Sequence, residues 1–274
     1  MAYKTYKVLE NNAINPRSST DGYQPKFVVD SRKKFIKVQC ILGKTLRDDW
    51  RVEDIATRVC QQLGIYAVIQ KPCRVDMVTP SGIVKKRLGV VSDNFEIEGS
   101  FVSFARLLNT TKIPFDRDLY NKSSNRDKLG MLIKSTRNAS CLSLEETVRY
   151  FYDMVTVDML VLNQDRHFKN FGVFYNSISG RYEVSRLFDF GTGLFENDNM
   201  FDDIYSLNDC LRYSYISPYG EDPFILLKDL SSINSYKSYL RSSKLKYLNI
   251  PKGIFPSEVA YEYFIKMRRE MLRV

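Results

Sequence analysis

The chain has 274 residues, of which 44% are apolar and 27% are charged, a composition typical of a globular protein with a substantial core. It has no run of about 18 apolar residues and no apolar stretch near its start, which argues against a membrane span and a secretion signal. Its five cysteines are widely spaced and it has a single histidine, which argues against a disulfide framework and a zinc site. The formal net charge of +9 favours contact with an anionic partner, which a nucleotide, a nucleic acid, an acidic protein or a membrane surface would equally provide; a basic but inert surface is the alternative.

The first hundred residues predict a small sheet with one helix. Strand-like runs alternate with turn signals at YKVLE, PKFVVD and KKFIKVQCI. The next segment, RVEDIATRVCQQLG, has apolar residues at helical spacing, and Gly64 is a C-terminal stop signal. After this helix, IYAVIQ, CRVDMVT and KKRLGVVSD again have the pattern of strands.

From about residue 100 the pattern becomes helical, beginning with FVSFARLLN. The clearest helix starts at Ser143, which forms a capping box with Glu146, and its apolar face continues to Leu162. FGVFY and RYEVSRLFDF then predict a hairpin around the turn NSISG, and two more helical stretches lie near 223–248 and 256–272. The predicted fold class is α+β, with a small sheet-based N-lobe in residues 1–100 and a larger, mostly helical C-lobe in residues 101–274.

The stretch NQDRHFKN, residues 163–170, places a carboxylate at Asp165 and an amide at Asn170. D-x-x-x-x-N is the spacing by which kinase catalytic loops pair an acid that faces the attacking hydroxyl with an amide that holds Mg²⁺. Nineteen residues after Asn170, across the predicted hairpin, LFDFG places Asp189 at the end of a strand. Its carboxylate can join Mg²⁺ to nucleotide phosphates, and Gly191 permits a sharp turn. Together these motifs predict a phosphotransferase.

A phosphotransferase also needs a cation on the nucleotide phosphates. Lys37, at the end of a predicted strand, is our candidate, and Glu53 on the next helix is its predicted partner, although Asp54 is adjacent. The alternative is that Lys37 is a solvent-facing edge charge.

The turn RSSTDGYQPK, residues 17–26, lies between two predicted strands ahead of the lysine, where a phosphate-covering loop belongs. It has a single glycine, Gly22, and the competing interpretation is an ordinary hairpin turn.

NQDRHFKN and LFDFG, preceded by the lysine strand and by GVVSDNF, resemble the HipA-like kinases, an atypical bacterial serine/threonine kinase family. The resemblance spans roughly residues 15–200 and is strongest in the two catalytic motifs. The DRHxxN form and FDFG are also similar to phosphoinositide lipid kinases. Many HipA proteins carry an additional N-terminal domain, for which this chain looks too short, so we expect a stand-alone kinase core.

The resemblance implies a two-lobed protein-kinase-like fold that uses ATP and Mg²⁺. Asp165 matches the catalytic aspartate, Lys37 matches the phosphate-binding lysine, and Asn170 and Asp189 match the metal ligands. His167 is then a structural or phosphate-proximal member of the loop, with a structural role favoured, and Arg166 is similar. Members of the family autophosphorylate in the phosphate loop, where this chain has Ser18, Ser19 and Thr20.

The function predicted from these residues is transfer of the ATP γ-phosphoryl group to a serine or threonine of a protein. A phosphoinositide-type lipid kinase and a nucleotide-binding pseudokinase scaffold are the alternatives. A nucleic-acid-binding protein is disfavoured, because the basic residues are scattered and no reading motif is present. The expected location is the cytoplasm, or outside the cell by non-classical export, and the family resemblance implies a toxin–antitoxin or host partner.

Overall fold

The first part of the chain folds around a five-stranded sheet. The computed structural model describes residues 3–14, 24–39, 41–42, 45–97, 99–195 and 206–274. The strands of this part are β1 (Thr5–Leu9), β2 (Lys26–Val29), β3 (Lys34–Val38), the short pair β4 (Ile41–Leu42) and β5 (Thr45–Leu46), β6 (Lys71–Val78) and β7 (Val84–Asp93). The main sheet has the order β1-β6-β7-β3-β2, and its neighbours are antiparallel except for the parallel pair of β1 and β6.

One helix, α1 (Asp49–Leu63), packs against β6 and β7. Its apolar residues, including Val52, Ile55 and Val59, are buried on the face predicted from the helical spacing. The helix ends at Gly64, whose φ of 72° lies in the left-handed region and whose N–H donates to carbonyl groups of the last turn. The predicted helix and its glycine stop are therefore confirmed.

A second sheet of three strands follows, and it corrects one prediction. Its strands are β8 (Gly99–Ser103), β9 (Gly172–Asn176) and β10 (Arg181–Val184), in the order β10-β9-β8. The prediction of a helical pattern that begins with FVSFARLLN was wrong for its first three residues: the helix α2 (Phe104–Thr111) begins only after Ser103, whose side chain caps it. Residues 99–103 instead pair with β9, about 70 residues away, and a local pattern does not reveal such a partner.

The remaining helices form the larger part of the molecule. They are α3 (Arg117–Lys122), α4 (Asn125–Ser140), α5 (Leu144–Leu160), α6 (Leu207–Leu211), α7 (Pro223–Leu230), α8 (Asn234–Ser242) and α9 (Glu258–Arg273). The capping box of Ser143 and Glu146 begins α5, as predicted. From its second turn onward α5 is almost wholly buried, and its side chains share one apolar core with α1 and α9. This core holds the small sheet-bearing part against the helical part.

Two further segments differ from the sequence prediction. IYAVIQ is not a regular strand; Ala67 makes an isolated parallel bridge with Leu187, and Val68 N–H donates to the Leu187 carbonyl oxygen at 2.9 Å. The predicted helical stretch 223–248 is divided into α7, α8 and a short 3₁₀ turn. The first difference matters for the site, because the bridge fixes the backbone just before Asp189.

The observed architecture is α+β, with a small sheet-based N-lobe and a larger, mostly helical C-lobe, as predicted. The boundary between the two near residue 100 stays a prediction. Among the residues that the structure describes, no helix is both long enough and apolar enough to cross a membrane.

Candidate active site

Three charged side chains from distant parts of the chain meet between the two lobes. Lys37 lies on β3, Glu53 on α1, and Asp189 in the loop after β10. The Lys37 ammonium group donates to Glu53 Oε1 and, at 2.7 Å, to Asp189 Oδ1. Lys37 is 5% exposed and Glu53 is wholly buried, so Lys37 is not a solvent-facing edge charge. The neighbouring Asp54 pairs with Arg58 instead, at 3.0 Å.

The backbone at Asp189 turns sharply. Asp189 has a φ of 65°, in the left-handed region that costs most residues conformational energy. The next residue, Phe190, is buried and donates its backbone N–H to Glu53 Oε2 at 3.3 Å. Gly191 follows, and a Cβ atom there would lie 3.3 Å from Gln24 Oε1 and 3.5 Å from Glu53 Oε1. Glu53 therefore contacts both Lys37 and the start of this turn.

Arg166 connects the loop of residues 163–170 to the segment that carries Asp189. Its side chain is wholly buried and pairs with Asp158 of α5 at 2.9 Å. Its Nη1 donates to the carbonyl oxygen of Asn170 at 3.1 Å and to that of Phe188 at 2.7 Å. The guanidinium group also lies 4.8 Å from the centre of the Phe190 ring. One side chain thus fixes both motifs relative to each other.

Asp165 and Asn170 have different surroundings within the loop. The Asp165 side chain is exposed, and its backbone N–H donates to Asn163 Oδ1 at 3.2 Å. Asn170 is buried and donates its Nδ2 to the Asp165 carbonyl oxygen at 2.7 Å. Within the described residues, Asn170 Oδ1 is buried without a hydrogen-bond partner. This orientation leaves an amide oxygen available for a ligand.

A cleft of about 590 Å³, including its open mouth, lies beside these groups. Its charged lining consists of the cations Lys26 and Lys37 and the carboxylates of Asp93, Glu96 and Asp189. Its aromatic lining consists of Phe35, Phe95, Phe101 and Phe188. A cleft that combines aromatic walls with cations suits a ligand with a planar ring and an anionic group.

Burial and neighbouring charges perturb the ionisation of the site. Burial acts to raise the pKa of Asp189, but the positive charges of Lys37 and Lys26 outweigh it and hold that pKa well below its usual range. Burial acts to lower the pKa of Lys37, and the carboxylates of Asp189 and Glu53 reverse the effect, so this pKa lies above the ordinary lysine value. Partial burial raises the pKa of Asp165; His167 opposes this rise, and the charge of Asp189 adds to it. Both Lys37 and Asp189 are therefore ionised at neutral pH.

Comparison with known proteins identifies the family. The family model described as the HipA-like C-terminal domain matches residues 18–208. The chain belongs to this family. Among solved structures, the HipA-like chain is similar to the proinflammatory kinase CtkA of Helicobacter pylori, with 19% sequence identity, a TM-score of 0.55, and coverage of 96% of this chain and 93% of CtkA. The predicted two-lobed kinase-like fold is therefore confirmed.

A second solved structure is HipA of Shewanella oneidensis MR-1 in complex with HipB and operator DNA. It matches the HipA-like chain at 14% identity with a TM-score of 0.41, over 95% of this chain and 65% of that one. No curated protein of similar sequence was found.

The predicted ligands fit the residues that are present. Asn170 Oδ1 is a buried oxygen without a partner among the residues that the structure describes, and Asp189 is a carboxylate held in its charged form. Mg²⁺ prefers oxygen ligands and takes one or two protein groups, completing its shell with water and phosphate oxygens. In the described part of the HipA-like chain no three His, Cys, Asp or Glu residues cluster as a metal site. The donor set therefore suits a metal that arrives with a nucleotide.

The remaining predicted site residues are His167 in the loop of residues 163–170 and the three hydroxyl residues of the predicted phosphate loop. His167 is half-buried, and its Nδ1 accepts the backbone N–H of Lys169 at 3.2 Å within the loop's own turn. Ser18, Ser19 and Thr20 lie outside the described residues. The roles assigned to all of these residues stay predictions.

Sequence reasoning missed two residues of the site. Lys26 on β2 is buried, lines the cleft and lies opposite Lys37 in the sheet, with its ammonium group 4.0 Å from Asp189 Oδ2. Asp158, the partner of Arg166, stands as a lone carboxylate in the apolar run VDMLVL. A buried charge in an apolar helix requires a partner, and that signal was available. No comparable signal in the sequence marks Lys26, because lysine residues are common at the ends of strands.

The perturbed pKa of Asp189 predicts a dependence of stability on pH. Its folded-state pKa lies below the unfolded value of about 3.9, so ionised Asp189 stabilises the fold above that pH, and the contribution is lost as pH falls. We expect the difference in unfolding free energy between wild type and Asp189→Asn to be constant from pH 7 to 5 and to shrink below about pH 4. Urea denaturation at each pH measures the difference. A difference that stayed constant down to pH 3 would contradict the assigned pKa shift.

Proposed function

We propose that this HipA-like chain is a protein kinase that transfers the γ-phosphoryl group of ATP to a serine or threonine hydroxyl. The observation that carries the proposal is the buried contact of Lys37 with both Glu53 and Asp189, beside a loop that presents Asp165 and Asn170. A lysine on a strand, a glutamate on the following helix and an aspartate that begins a DFG sequence are the parts that a kinase needs in place together.

The cleft gives a nucleotide one favourable orientation. The triphosphate lies toward Lys37 and Lys26, whose charges offset its own, and the base lies among the aromatic side chains. Asp189 and Asn170 would hold Mg²⁺, which would supply further neutralisation of the charge that develops during transfer. Glu53 holds the direction of the Lys37 side chain, so the ammonium group needs little rearrangement when the nucleotide enters.

Asp165 is the group that meets the acceptor. Its carboxylate is exposed, whereas Arg166 and Asn170 of the same loop are buried. A bond forms between the acceptor hydroxyl oxygen and the γ-phosphorus, the bond from the γ-phosphorus to the bridging β,γ-oxygen breaks, and the hydroxyl proton goes to Asp165. ADP leaves with the bridging oxygen. The raised pKa of Asp165 makes its carboxylate a better proton acceptor than an ordinary aspartate.

Family membership supports a protein acceptor, and CtkA, whose fold the chain shares, is named a kinase. On the same basis we propose that Ser18, Ser19 and Thr20 are sites of autophosphorylation and that the chain acts with a toxin–antitoxin or host partner. Mapping of phosphosites after incubation with ATP tests the first of these. Three unmodified side chains would remove it.

The experiment that tests the function compares wild type with Asp165→Asn. Purified protein is incubated with γ-labelled ATP and Mg²⁺, and label is followed on the protein itself, on a generic basic protein and on phosphoinositide vesicles. We expect label on protein in the wild type and a reduction of about 10²- to 10⁴-fold in the variant, because the general base is lost. Nucleotide affinity, measured by calorimetry, is expected to stay unchanged, since Asp165 is not among the cleft-lining residues.

Each other outcome has a defined meaning. Label confined to the vesicles would replace the proposal with a lipid kinase. Nucleotide binding without label on any acceptor would favour a scaffold. Full activity in Asp165→Asn would show that the catalytic assignment is wrong.

A further inference from the structure

Gln70 is a buried polar side chain in the cleft wall that the kinase mechanism leaves without a role. It directly precedes β6, is 5% exposed and lines the cleft. Its backbone N–H donates to Thr57 Oγ1 of α1 at 3.2 Å, so the position of its main chain is fixed. Its side-chain Oε1, however, is buried with no hydrogen-bond partner among the described residues. A buried amide oxygen in this state is unfavourable until a ligand or water satisfies it.

The register of the sheet places Gln70 beside the aromatic part of the cleft. Lys71 of β6 pairs with Val91 of β7, so Gln70 and Ser92 are next in register. Both side chains line the cleft. Three residues after Ser92 comes Phe95, whose ring lies 6.5 Å from that of Phe101. Gln70 and the two phenylalanines therefore belong to the lining of one cleft, with the small side chain of Ser92 next to Gln70.

We propose that Gln70 determines the base specificity of the cleft, by accepting a hydrogen bond from the exocyclic 6-amino group of adenine. The inference rests on the proposed function, because it assumes that the base lies among the aromatic rings. The terminal torsion of glutamine has a broad energy profile, so that rotation of the amide would let Oε1 meet a bound base. A neutral amide suits a neutral amino group, whereas the phosphates are matched by Lys26 and Lys37.

Gln39 provides a matched control on the same sheet. It is also buried, but both of its amide atoms are used: Nε2 donates to the Arg47 carbonyl oxygen at 2.8 Å, and Oε1 accepts the Leu88 N–H at 2.9 Å. Gln39 thus has a structural role of the kind that Gln70 lacks. The two glutamines separate an effect on ligand selection from an effect on folding.

The test compares Gln70→Leu and Gln39→Leu with wild type in two measurements. Calorimetry in Mg²⁺ gives the affinities for ATP and for purine riboside triphosphate, which lacks the 6-amino group. Thermal melting without nucleotide gives the stability. We expect Gln70→Leu to reduce the preference for ATP over the analogue by about fivefold, the ratio that one neutral hydrogen bond produces.

The melting temperature of Gln70→Leu is expected to be unchanged or higher, because leucine has no polar atom that needs a hydrogen-bond partner. Gln39→Leu is expected to melt at a lower temperature and to keep the wild-type preference.

Several results would overturn the inference. An unchanged preference in Gln70→Leu, with both nucleotides still bound, would show that Gln70 does not read the base, while leaving the kinase proposal intact. A lower melting temperature with equal weakening of both nucleotides would show a structural role. If the wild type bound neither nucleotide, the proposed function itself would fail, and the inference with it.

Discussion

Asp189→Asn is expected to lower turnover by about 10³-fold or more, the largest effect of any single substitution in the cleft. The amide keeps the shape of the side chain but removes the charge that contacts Lys37 at 2.7 Å and that would bind Mg²⁺. Affinity for ATP is therefore expected to fall in the presence of Mg²⁺ and to differ little from wild type in EDTA. Calorimetry under both conditions, together with the labelling assay, measures these effects.

Asp93→Asn is the control for this prediction. Asp93 also lines the cleft, but its carboxylate is exposed and pairs with Lys34 at the surface. We expect turnover close to wild type. If Asp189→Asn were as active as Asp93→Asn, Asp189 would have no part in the chemistry.

Arg166→Met is expected to destabilise the fold by roughly 3–5 kcal/mol, because it leaves the Asp158 carboxylate buried without its partner. The substitution also removes the hydrogen bonds to Asn170 and Phe188, so activity is expected to fall even in the fraction that remains folded. Denaturant unfolding followed by circular dichroism measures the loss. A second substitution, Asp158→Leu, is expected to restore part of the stability, since it removes the unpaired charge.

The surface pair of Lys252 and Glu258 is the comparison for this experiment. Both side chains are more than half exposed, and exposed ion pairs contribute little. Lys252→Met is therefore expected to leave the unfolding midpoint nearly unchanged. If Arg166→Met behaved in the same way, Arg166 would not have the connecting role that its contacts indicate.

The sequence predicted the parts of the site whose signals are local. D-x-x-x-x-N and D-F-G are fixed spacings, and α1 and α5 have apolar periodicity with clear caps, so each could be read within a short window. The contact of Lys37 with Glu53 and Asp189 joins residues up to 152 positions apart; the motifs suggested it, but only the fold brings the atoms together.

Other features depend on partners that are distant in sequence. β8 forms because β9 lies beside it, and the bridge of Ala67 with Leu187 replaces the strand predicted for IYAVIQ. Gln70 is unusual only because its Oε1 has no partner in the described part of the chain, and no sequence pattern records a missing hydrogen bond.

The two contacts of Glu53 restrict which residues position 53 tolerates. One carboxylate oxygen accepts from Lys37 and the other from the backbone N–H of Phe190, so the side chain spans from a sheet strand to the turn after Asp189. An aspartate carries the same charge but is one methylene shorter, and from a helix backbone held by the shared core it does not span this gap. Position 53 is therefore constrained by length as well as by charge, and two acidic residues that are interchangeable on most surfaces are not interchangeable here.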